Sequence, residues 1–357
     1  MQIDHTVDTP VTTKANTTSA KGKQKGKKDK KPTAKSPHII GYGTASFDKS
    51  AIDDGVIVNP EAIAESALKL FKGQLIGDIS TARTAMTIPS YRSYTRAIQL
   101  PALGAKELQE AVELEAEQYI PVPLEELYLD YVTINQTKDQ TNLFAVAVPR
   151  KIVDSYVTLS RMLGLETVVI ETTLSSAARL FALDTQSNIP SVIIDFGSLS
   201  ADISIFDKTI LVTGTVQGGG EVFTNSIRDK LGVTQEEAGL IKTKYGLGLS
   251  KKQREITEAL DPVLAQIIKE IRRMIRYYED RYGTERPIGQ VVTLGGGANM
   301  PGLSEYLTNN LRIPVRSFDP WQYFSYSGLQ PPTAADKSMY ATVAGLSLIN
   351  PKEVFGS

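Results

Sequence analysis

The strongest constraint on the fold is one stretch in the middle of the chain. Two alternating apolar runs flank the turn GSLS in residues 192–206, which predicts a β-hairpin. A third run, TILVTGTV, ends in Gly218–Gly220 before a helical segment. Because a helix start has free N–H groups, this glycine run together with Asp195, Gly197 and Ser198 at the hairpin tip predicts a phosphate site. An ordinary turn is the alternative interpretation, since these residue types also form turns.

The same order of elements occurs twice along the chain. In the first half, strand-like runs accompany a helix that begins at Asn59 and Pro60; in the second half, QVVTL leads through Gly295–Gly297 into a further helix. This repetition predicts two α/β lobes that face each other across a cleft. The expected organisation is a tail (1–37), a first lobe (38–185) with an inserted α+β subdomain at about 91–165, a second lobe (186–335), and a C-terminal helix returning to the first lobe (336–357).

Residues 1–37 differ in composition from the rest. They contain nine Lys and three Asp, a net charge of +6, whereas the remainder carries −7. With few apolar residues, this segment is predicted to be a disordered lysine-rich tail. Its run Lys21–Lys31 suits contact with anionic lipid, and a solvated linker is the alternative. No aromatic residue stands between these lysines, so specific nucleic-acid binding is not expected.

Composition also excludes several classes of site. The chain has no Cys and two His, which argues against disulfides, thiolate metal sites and histidine-based catalysis. No apolar run is long enough to span a bilayer, and no signal-peptide pattern opens the sequence. The expected location is therefore the cytoplasm, with any contact to the membrane made through partners.

Several motifs carry a resemblance to known families. The segments IIDFGSLSADISIF, GGGEVFTNSI and LGGGANMPGL are similar in kind and order to nucleotide loops of the actin-like, Hsp70-like and sugar-kinase superfamily. The segments GVIVNPEAIAE, ELEAEQYIPVPLEEL and EIRRMIRYYEDRYG resemble the PilM family of type IV pilus assembly proteins, relatives of FtsA. The resemblance covers most of residues 39–350, and EAEQYIP favours PilM over FtsA. It implies an α/β, actin-like (ribonuclease H-like) two-lobed fold with the insert in the first lobe.

The resemblance also implies a nucleotide site. Asp195, Gly197 and Ser198 would meet phosphates or Mg²⁺, with Asp195 as the metal ligand, since Mg²⁺ needs only one or two carboxylates beside phosphate and water. The residues that would approach the nucleoside are Gly218, Gly219, Gly295, Gly296, Gly297 and Lys242.

The resemblance further implies a partner. The inserted subdomain, with Tyr119, Ile120 and Val122, would dock the cytoplasmic N-terminus of a PilN-like membrane protein at the inner face of the cell membrane. The protein would thereby connect the pilus motor ATPases to the membrane platform. Without the resemblance, these three residues are better interpreted as a local core around Pro121 and Pro123.

The chain departs from the family pattern at the nucleotide site. In the family, the first phosphate loop lies at the N-terminus, where a strand ends in Asp-Ile-Gly-Ser-Ser and turns into a second strand. Here HIIGYGTASF corresponds to the segment that normally follows this hairpin, and MQIDHTVDTP contains no glycine. Gly239 stands where the family usually has a Glu that bonds the ribose. Loss of the first strand would leave a sheet edge to be covered by a partner or by the tail. The expectation is an adaptor without enzymatic activity that binds ATP and Mg²⁺ weakly or not at all.

Two alternatives from other functional classes remain open. An active ATPase with a complete cycle predicts an intact phosphate cradle. An FtsA-like cell-division filament protein predicts a C-terminal amphipathic membrane helix, which SLINPKEVFGS does not provide.

Overall fold

The computed structural model describes residues 1–4, 36–184, 186–326, 328–333, 336–350 and 354. The Lys21–Lys31 run proposed for lipid contact lies outside these residues. The first lobe begins with small elements around one helix: β1 (Gln2–Asp4), β2 (His38–Tyr42), β3 (Ile52–Asp53), β4 (Val56–Ile57), α1 (Pro60–Gly73), β5 (Ile76–Gly77) and β6 (Arg83–Ile88). As predicted, Asn59 caps α1 by accepting a hydrogen bond from the N–H of Ala62.

The inserted subdomain consists of β7 (Tyr94–Pro101), α2 (Ala105–Tyr119), β8 (Leu127–Gln136) and β9 (Gln140–Pro149). Its antiparallel sheet has the order β7-β9-β8, and α2 packs against β7. The chain then returns through α3 (Arg150–Met162), β10 (Glu166–Thr172) and α4 (Thr173–Phe181). The insert expected up to about residue 165 is shorter in the structure, because α3 packs on α1, β4 and β10 of the first lobe.

The second lobe contains one continuous mixed sheet. Its elements are β11 (Ser191–Phe196), β12 (Ser200–Asp207), β13 (Thr209–Gln217), α5 (Gly220–Leu231), α6 (Gln235–Lys244), α7 (Gln253–Tyr282), β14 (Gln290–Leu294), α8 (Leu303–Leu311) and β15 (Val315–Ser317). The strand order is β13-β12-β11-β14-β15, with β11 antiparallel to β12 and parallel to β14. β11 and β14 are buried along their whole length, as expected of central strands covered on both faces.

The first lobe has a divided sheet instead. β2 pairs antiparallel with β1 on one side and with β5 on the other, while β6 pairs parallel with β10 as a separate two-stranded sheet. The lysine-rich tail was predicted to be disordered from the first residue, and this differs from the structure at β1. Ile3 provides the reason, because its side chain is buried in the same core as Ile39 of β2.

The closing helix α9 (Ala341–Ser347) packs on α4 and β6 of the first lobe. Gly345 allows this contact, since a Cβ there would overlap the main-chain carbonyl of Ser176 in α4. One apolar core includes residues of α4 and α9 together with Ile193 and Val292 of the second lobe, so the two lobes share buried side chains. Among the residues that the structure describes, no helix has both the length and the apolar character needed to cross a bilayer.

Candidate functional site

The predicted hairpin tip lies directly against the start of α5. The N–H of Gly220 donates to the carbonyl oxygen of Gly197 at 2.8 Å, and the N–H of Glu221 donates to that of Ser198 at 2.8 Å. The hairpin carbonyls thus cap two of the N–H groups that a helix leaves free at its first turn. These donors, which the glycine run was predicted to offer to an anion, are used within the protein in this conformation.

The glycine run is required by this close packing. A Cβ at Gly219 would overlap the carbonyl oxygen of Ser198, and one at Gly218 would lie 3.0 Å from Val263 and 3.2 Å from Ile267 of α7. Both glycines are buried. Their small size therefore has a structural explanation that needs no ligand.

The second glycine turn packs on the other side of the hairpin. Gly295 has φ +81° and lies so close to the Asp195 carboxylate that a Cβ would overlap Oδ1. A Cβ at Gly297 would lie 2.8 Å from the Cβ of Phe196, whereas Gly296 is exposed. Both glycine turns thus pack against the hairpin, with Gly219 at its tip and Gly295 at Asp195.

Two carboxylates face each other inside this arrangement. Asp195 on β11 and Asp202 on β12 are directly opposite in the hairpin register, and their exposed fractions are 8% and 7%. Thr342 Oγ1 donates to Asp195 at 3.4 Å, and Thr215 Oγ1 donates to Asp202 at 2.8 Å. Among the described residues, neither carboxylate has a basic side chain as an ion-pair partner.

Their surroundings raise the pKa of both carboxyl groups above the usual value for aspartate. Burial, and secondly the charge of Asp202, raise the pKa of Asp195 to about 7. Burial also raises the pKa of Asp202 to about 6, although hydrogen bonds from Thr215, Thr173 and Ser200 act in the opposite direction. The pair therefore holds protons that isolated aspartates release at lower pH.

Asp202 was missed by the sequence analysis. A signal for it was present, because Asp195 and Asp202 interrupt two alternating apolar runs at equal distance from the turn. In a hairpin, such positions become directly opposite neighbours on the same face of the sheet.

Two lysines reach the start of α5. Lys242, predicted to lie near a nucleoside, donates from Nζ to the carbonyl oxygen of Gly220 at 2.7 Å. Burial lowers the pKa of Lys242, and the nearby charge of Glu221 opposes that shift. From the first lobe, Lys49 forms an ion pair with Glu221 at 2.5 Å, a contact between the lobes that the sequence analysis did not identify.

The fit of a nucleotide can be judged from these contacts. The N–H groups of Gly220 and Glu221 already have main-chain acceptors, and Lys242 Nζ uses one of its three N–H donors on the carbonyl oxygen of Gly220. Asp195 and Asp202 are hard oxygen ligands of the kind that Mg²⁺ takes together with phosphate and water. Among the described residues, no group of three or more His, Asp or Glu side chains could hold a metal ion by itself.

The residues predicted to bind a partner lie at the end of α2. Ile120 is buried, and Val122 is half-buried against the small core formed by Ala116, Ile120, Leu127 and Ala147. The Arg96 guanidinium lies 4.7 Å from the ring centre of Tyr119, whose buried hydroxyl has no hydrogen-bond partner among the described residues. Ile120 is thus part of the local core, which leaves the ring of Tyr119 and the side chain of Val122 as the more accessible groups.

Comparisons with known proteins agree with this architecture. A family model described as type IV pilus assembly protein PilM matches residues 29–350. A solved structure described as the PilM-PilN type IV pilus biogenesis complex is 22% identical, with 87% of this chain and 91% of that chain covered and a TM-score of 0.75. MreB 5 of Spiroplasma citri bound to AMPPNP is 15% identical, with 89% of each chain covered and a TM-score of 0.50. These likenesses confirm the predicted actin-like fold.

Proposed function

Since the chain belongs to the PilM family of type IV pilus assembly proteins, we propose that it is a structural adaptor of the pilus assembly platform. It would hold a peptide of a PilN-like membrane protein and would not turn over nucleotide. The supporting observation is the capping of α5, where Gly220 and Glu221 donate to hairpin carbonyls. Because phosphoryl transfer depends on donors placed around the transferred group, a site whose donors are already engaged is a poor catalyst.

The inserted subdomain is the proposed docking region. A related protein has been solved as a PilM-PilN complex, which supports a PilN-like partner for this chain. The insert also carries exposed apolar side chains, with exposed fractions of 63% for Leu114 on α2 and 60% for Val132 on β8. Through this partner the protein would act on the cytoplasmic face of the membrane and connect to the motor ATPases. The Lys21–Lys31 run would add attraction to anionic lipid.

Nucleotide binding is the second candidate function. The actin-like relative MreB 5 of Spiroplasma citri binds AMPPNP. In this chain, the buried carboxylates of Asp195 and Asp202 would suit Mg²⁺ brought in with a nucleotide. This function would require the hairpin tip and α5 to separate, so weak binding is expected.

Two calorimetric titrations test the proposal. Mg-ATP added to the wild-type protein and to Asp195→Ala should give no saturable heat with either. Micromolar binding that the substitution abolishes would refute the nucleotide part of the proposal. An N-terminal peptide of a PilN-like protein should bind the wild type, and Tyr119→Ala should weaken that binding at least about tenfold, the loss of about 1.4 kcal/mol. Leu249→Ala is the matched control, because Leu249 is 95% exposed in the second lobe; equal losses in both variants would contradict docking at the insert.

A further inference from the structure

A groove between α7 and α8 of the second lobe is rich in positive charge. Its volume is about 340 Å³, and three cations of α7 line it, namely Lys269, Arg272 and Arg276. The rest of the lining is uncharged and includes Ala265 of α7 and Asn310 of α8. No Asp or Glu side chain of the described residues belongs to this lining. We refer to this space as the cationic groove.

The three cations share one exposed face of α7. Their spacing of three and then four residues places them side by side on the helix, and all three are exposed. Arg272 donates from Nη2 to the main-chain carbonyl of Asn310 at 2.7 Å. Lys269 and Arg276 form no ion pair and no hydrogen bond within the described part of the chain. Their positive charges are therefore available to a ligand.

Acidic residues on α7 do not neutralise these two cations. The helix residues concerned are Asp261, Glu270, Glu279 and Asp280. Glu270 accepts two hydrogen bonds from Arg273, at 2.5 and 2.8 Å, and Asp261 accepts one from the hydroxyl of Tyr306 at 2.5 Å. None of the four lines the cationic groove. Because residues 38–357 together carry a charge of −7, the groove is a local positive site on an acidic protein.

The positive surface continues on the other side of α7. A second cavity of about 400 Å³ lies there against β13, and Lys269 and Arg276 line it as well, together with Arg273. The strand β13 contributes Thr215 and Gln217 to this cavity and contains no charged residue. Lys269 and Arg276 therefore stand between two open grooves and can be approached from either side.

A surface of many anionic groups suits this arrangement better than one small anion. Ion pairs of exposed side chains contribute little individually, because water and salt screen them. A free phosphate that meets one or two such cations is held weakly, whereas an anionic membrane presents many headgroups at once, and the attractions of neighbouring Lys and Arg side chains add. The next residue after Arg276 is Tyr277, which is 44% exposed and has the kind of ring that is enriched at membrane interfaces.

We propose that the cationic groove and the adjoining cations of α7 bind the phosphate headgroups of an anionic phospholipid membrane. The negative charge of the remaining surface is repelled by the same lipids, so this contact sets which side of the second lobe faces the membrane. The contact is distinct from that of the Lys21–Lys31 run. It is measured on vesicles without a peptide, so it does not depend on the proposed docking of a PilN-like protein.

Co-sedimentation with vesicles tests the proposal. The probes are vesicles of phosphatidylglycerol mixed with phosphatidylcholine, and vesicles of phosphatidylcholine alone. The combined substitutions Lys269→Gln, Arg272→Gln and Arg276→Gln should weaken binding to the anionic vesicles at least about tenfold. The matched control carries Lys244→Gln, Lys251→Gln and Lys252→Gln, which remove the same charge at exposed positions before α7 and should weaken binding less than about threefold. Equal losses in the two variants would overturn the proposal, because net charge alone would then explain them.

The lysine-rich run needs its own control, because it also suits anionic lipid. Both sets of substitutions are therefore repeated in a full-length chain whose seven lysines in Lys21–Lys31 are replaced by glutamine. This chain should still bind the anionic vesicles, and the α7 substitutions should still weaken its binding at least about tenfold. Absence of vesicle binding in this chain, or no effect of the α7 substitutions on it, would overturn the proposal.

Two soluble probes distinguish the membrane from other phosphate ligands. Pyrophosphate should give no saturable heat in a calorimetric titration. If it binds at micromolar Kd and the α7 substitutions abolish that binding, the ligand is a soluble phosphate compound and the membrane assignment is wrong. A double-stranded DNA oligonucleotide is the second probe. If the α7 substitutions abolish DNA binding and leave vesicle binding unchanged, the partner is a nucleic acid and the proposal fails.

A fluorescent label locates the contact without removing any charge. Because the chain has no Cys, a single introduced thiol can be labelled specifically. An environment-sensitive fluorophore on Asn309→Cys, next to Asn310 of the cationic groove, should shift its emission to shorter wavelength when anionic vesicles are added. The same label on Leu249→Cys, at a position that is 95% exposed in the second lobe, should not shift. Equal shifts at both positions, or no shift at Asn309→Cys, would contradict binding through this groove.

Discussion

Replacing Asp195 by Asn should stabilise the protein, and the gain should depend on pH. Burial and the charge of Asp202 raise the pKa of Asp195 from 3.8 to about 7. The folded protein therefore binds a proton that the unfolded chain releases, and the free energy of unfolding falls as pH rises from about 4 to 7. At about 1.4 kcal/mol per pKa unit, the cost of ionising Asp195 has an upper limit of about 4 kcal/mol above pH 7.

Urea denaturation of the wild type and Asp195→Asn between pH 4 and pH 8.5 measures this effect. The variant should be more stable by a few kcal/mol, up to about 4, at pH 8.5, and the two proteins should converge as pH falls towards 4. Asp207→Asn is the matched control, for which we expect a decrease in the free energy of unfolding instead of an increase. Burial alone would raise the pKa of Asp207, but hydrogen bonds from Arg286 and Tyr278 hold it below its usual value. That variant should therefore be less stable at pH 7, and a pH-independent gain for Asp195→Asn would refute the reasoning.

Four further substitutions test the packing around the cleft by thermal unfolding. Gly219→Ala should lower the free energy of unfolding by about 1–3 kcal/mol, because its Cβ would overlap the Ser198 carbonyl. Gly239→Ala should raise it by about 0.5–1 kcal/mol, because no described atom lies within 4 Å of the new Cβ. Similar effects of the two substitutions would contradict the contact between Gly219 and Ser198. Gly345→Ala should also lower the free energy of unfolding by about 1–3 kcal/mol, because the new Cβ would displace α9 from α4. An unchanged melting temperature would contradict that packing. Lys49→Ala should lower the free energy of unfolding by less than about 1 kcal/mol, since this lysine side chain is 82% exposed. A larger decrease would show that the ion pair with Glu221 is stronger than its exposure indicates.

The sequence predicted the elements whose patterns are local. Alternation around the turn at Gly197 predicted the hairpin β11-β12, and Asn59 with Pro60 predicted the start of α1. The three-residue strand β1 was missed, because Gln2–Asp4 is too short for a periodic signal and its pairing with β2 joins residues far apart in sequence. Packing of α3 on the first lobe was missed for the same reason, since it depends on contacts with α1 and β10.

For the candidate site, the sequence predicted which residues take part but not the contacts that they make. The sequence predicted the glycines and Asp195 as site residues, and in the structure both glycine turns pack against the hairpin that carries Asp195. It could not show that the N–H groups of Gly220 and Glu221 would donate to hairpin carbonyls, because a glycine run before a helix is the same whether its donors face a ligand or the protein. Nor could it give the pKa of Asp195, which depends on burial.

The capping of α5 by the hairpin also has a mechanical consequence. Two hydrogen bonds fix the tip at Gly197 and Ser198 to the first turn of α5, so the tip and the helix move as one body. α5 packs on α7, whose 30 residues extend about 45 Å to Tyr282. A displacement of the tip would therefore move α5 against α7, whose helix is interrupted by Pro262. In this fold, the position of the hairpin turn therefore sets the position of the first turn of α5.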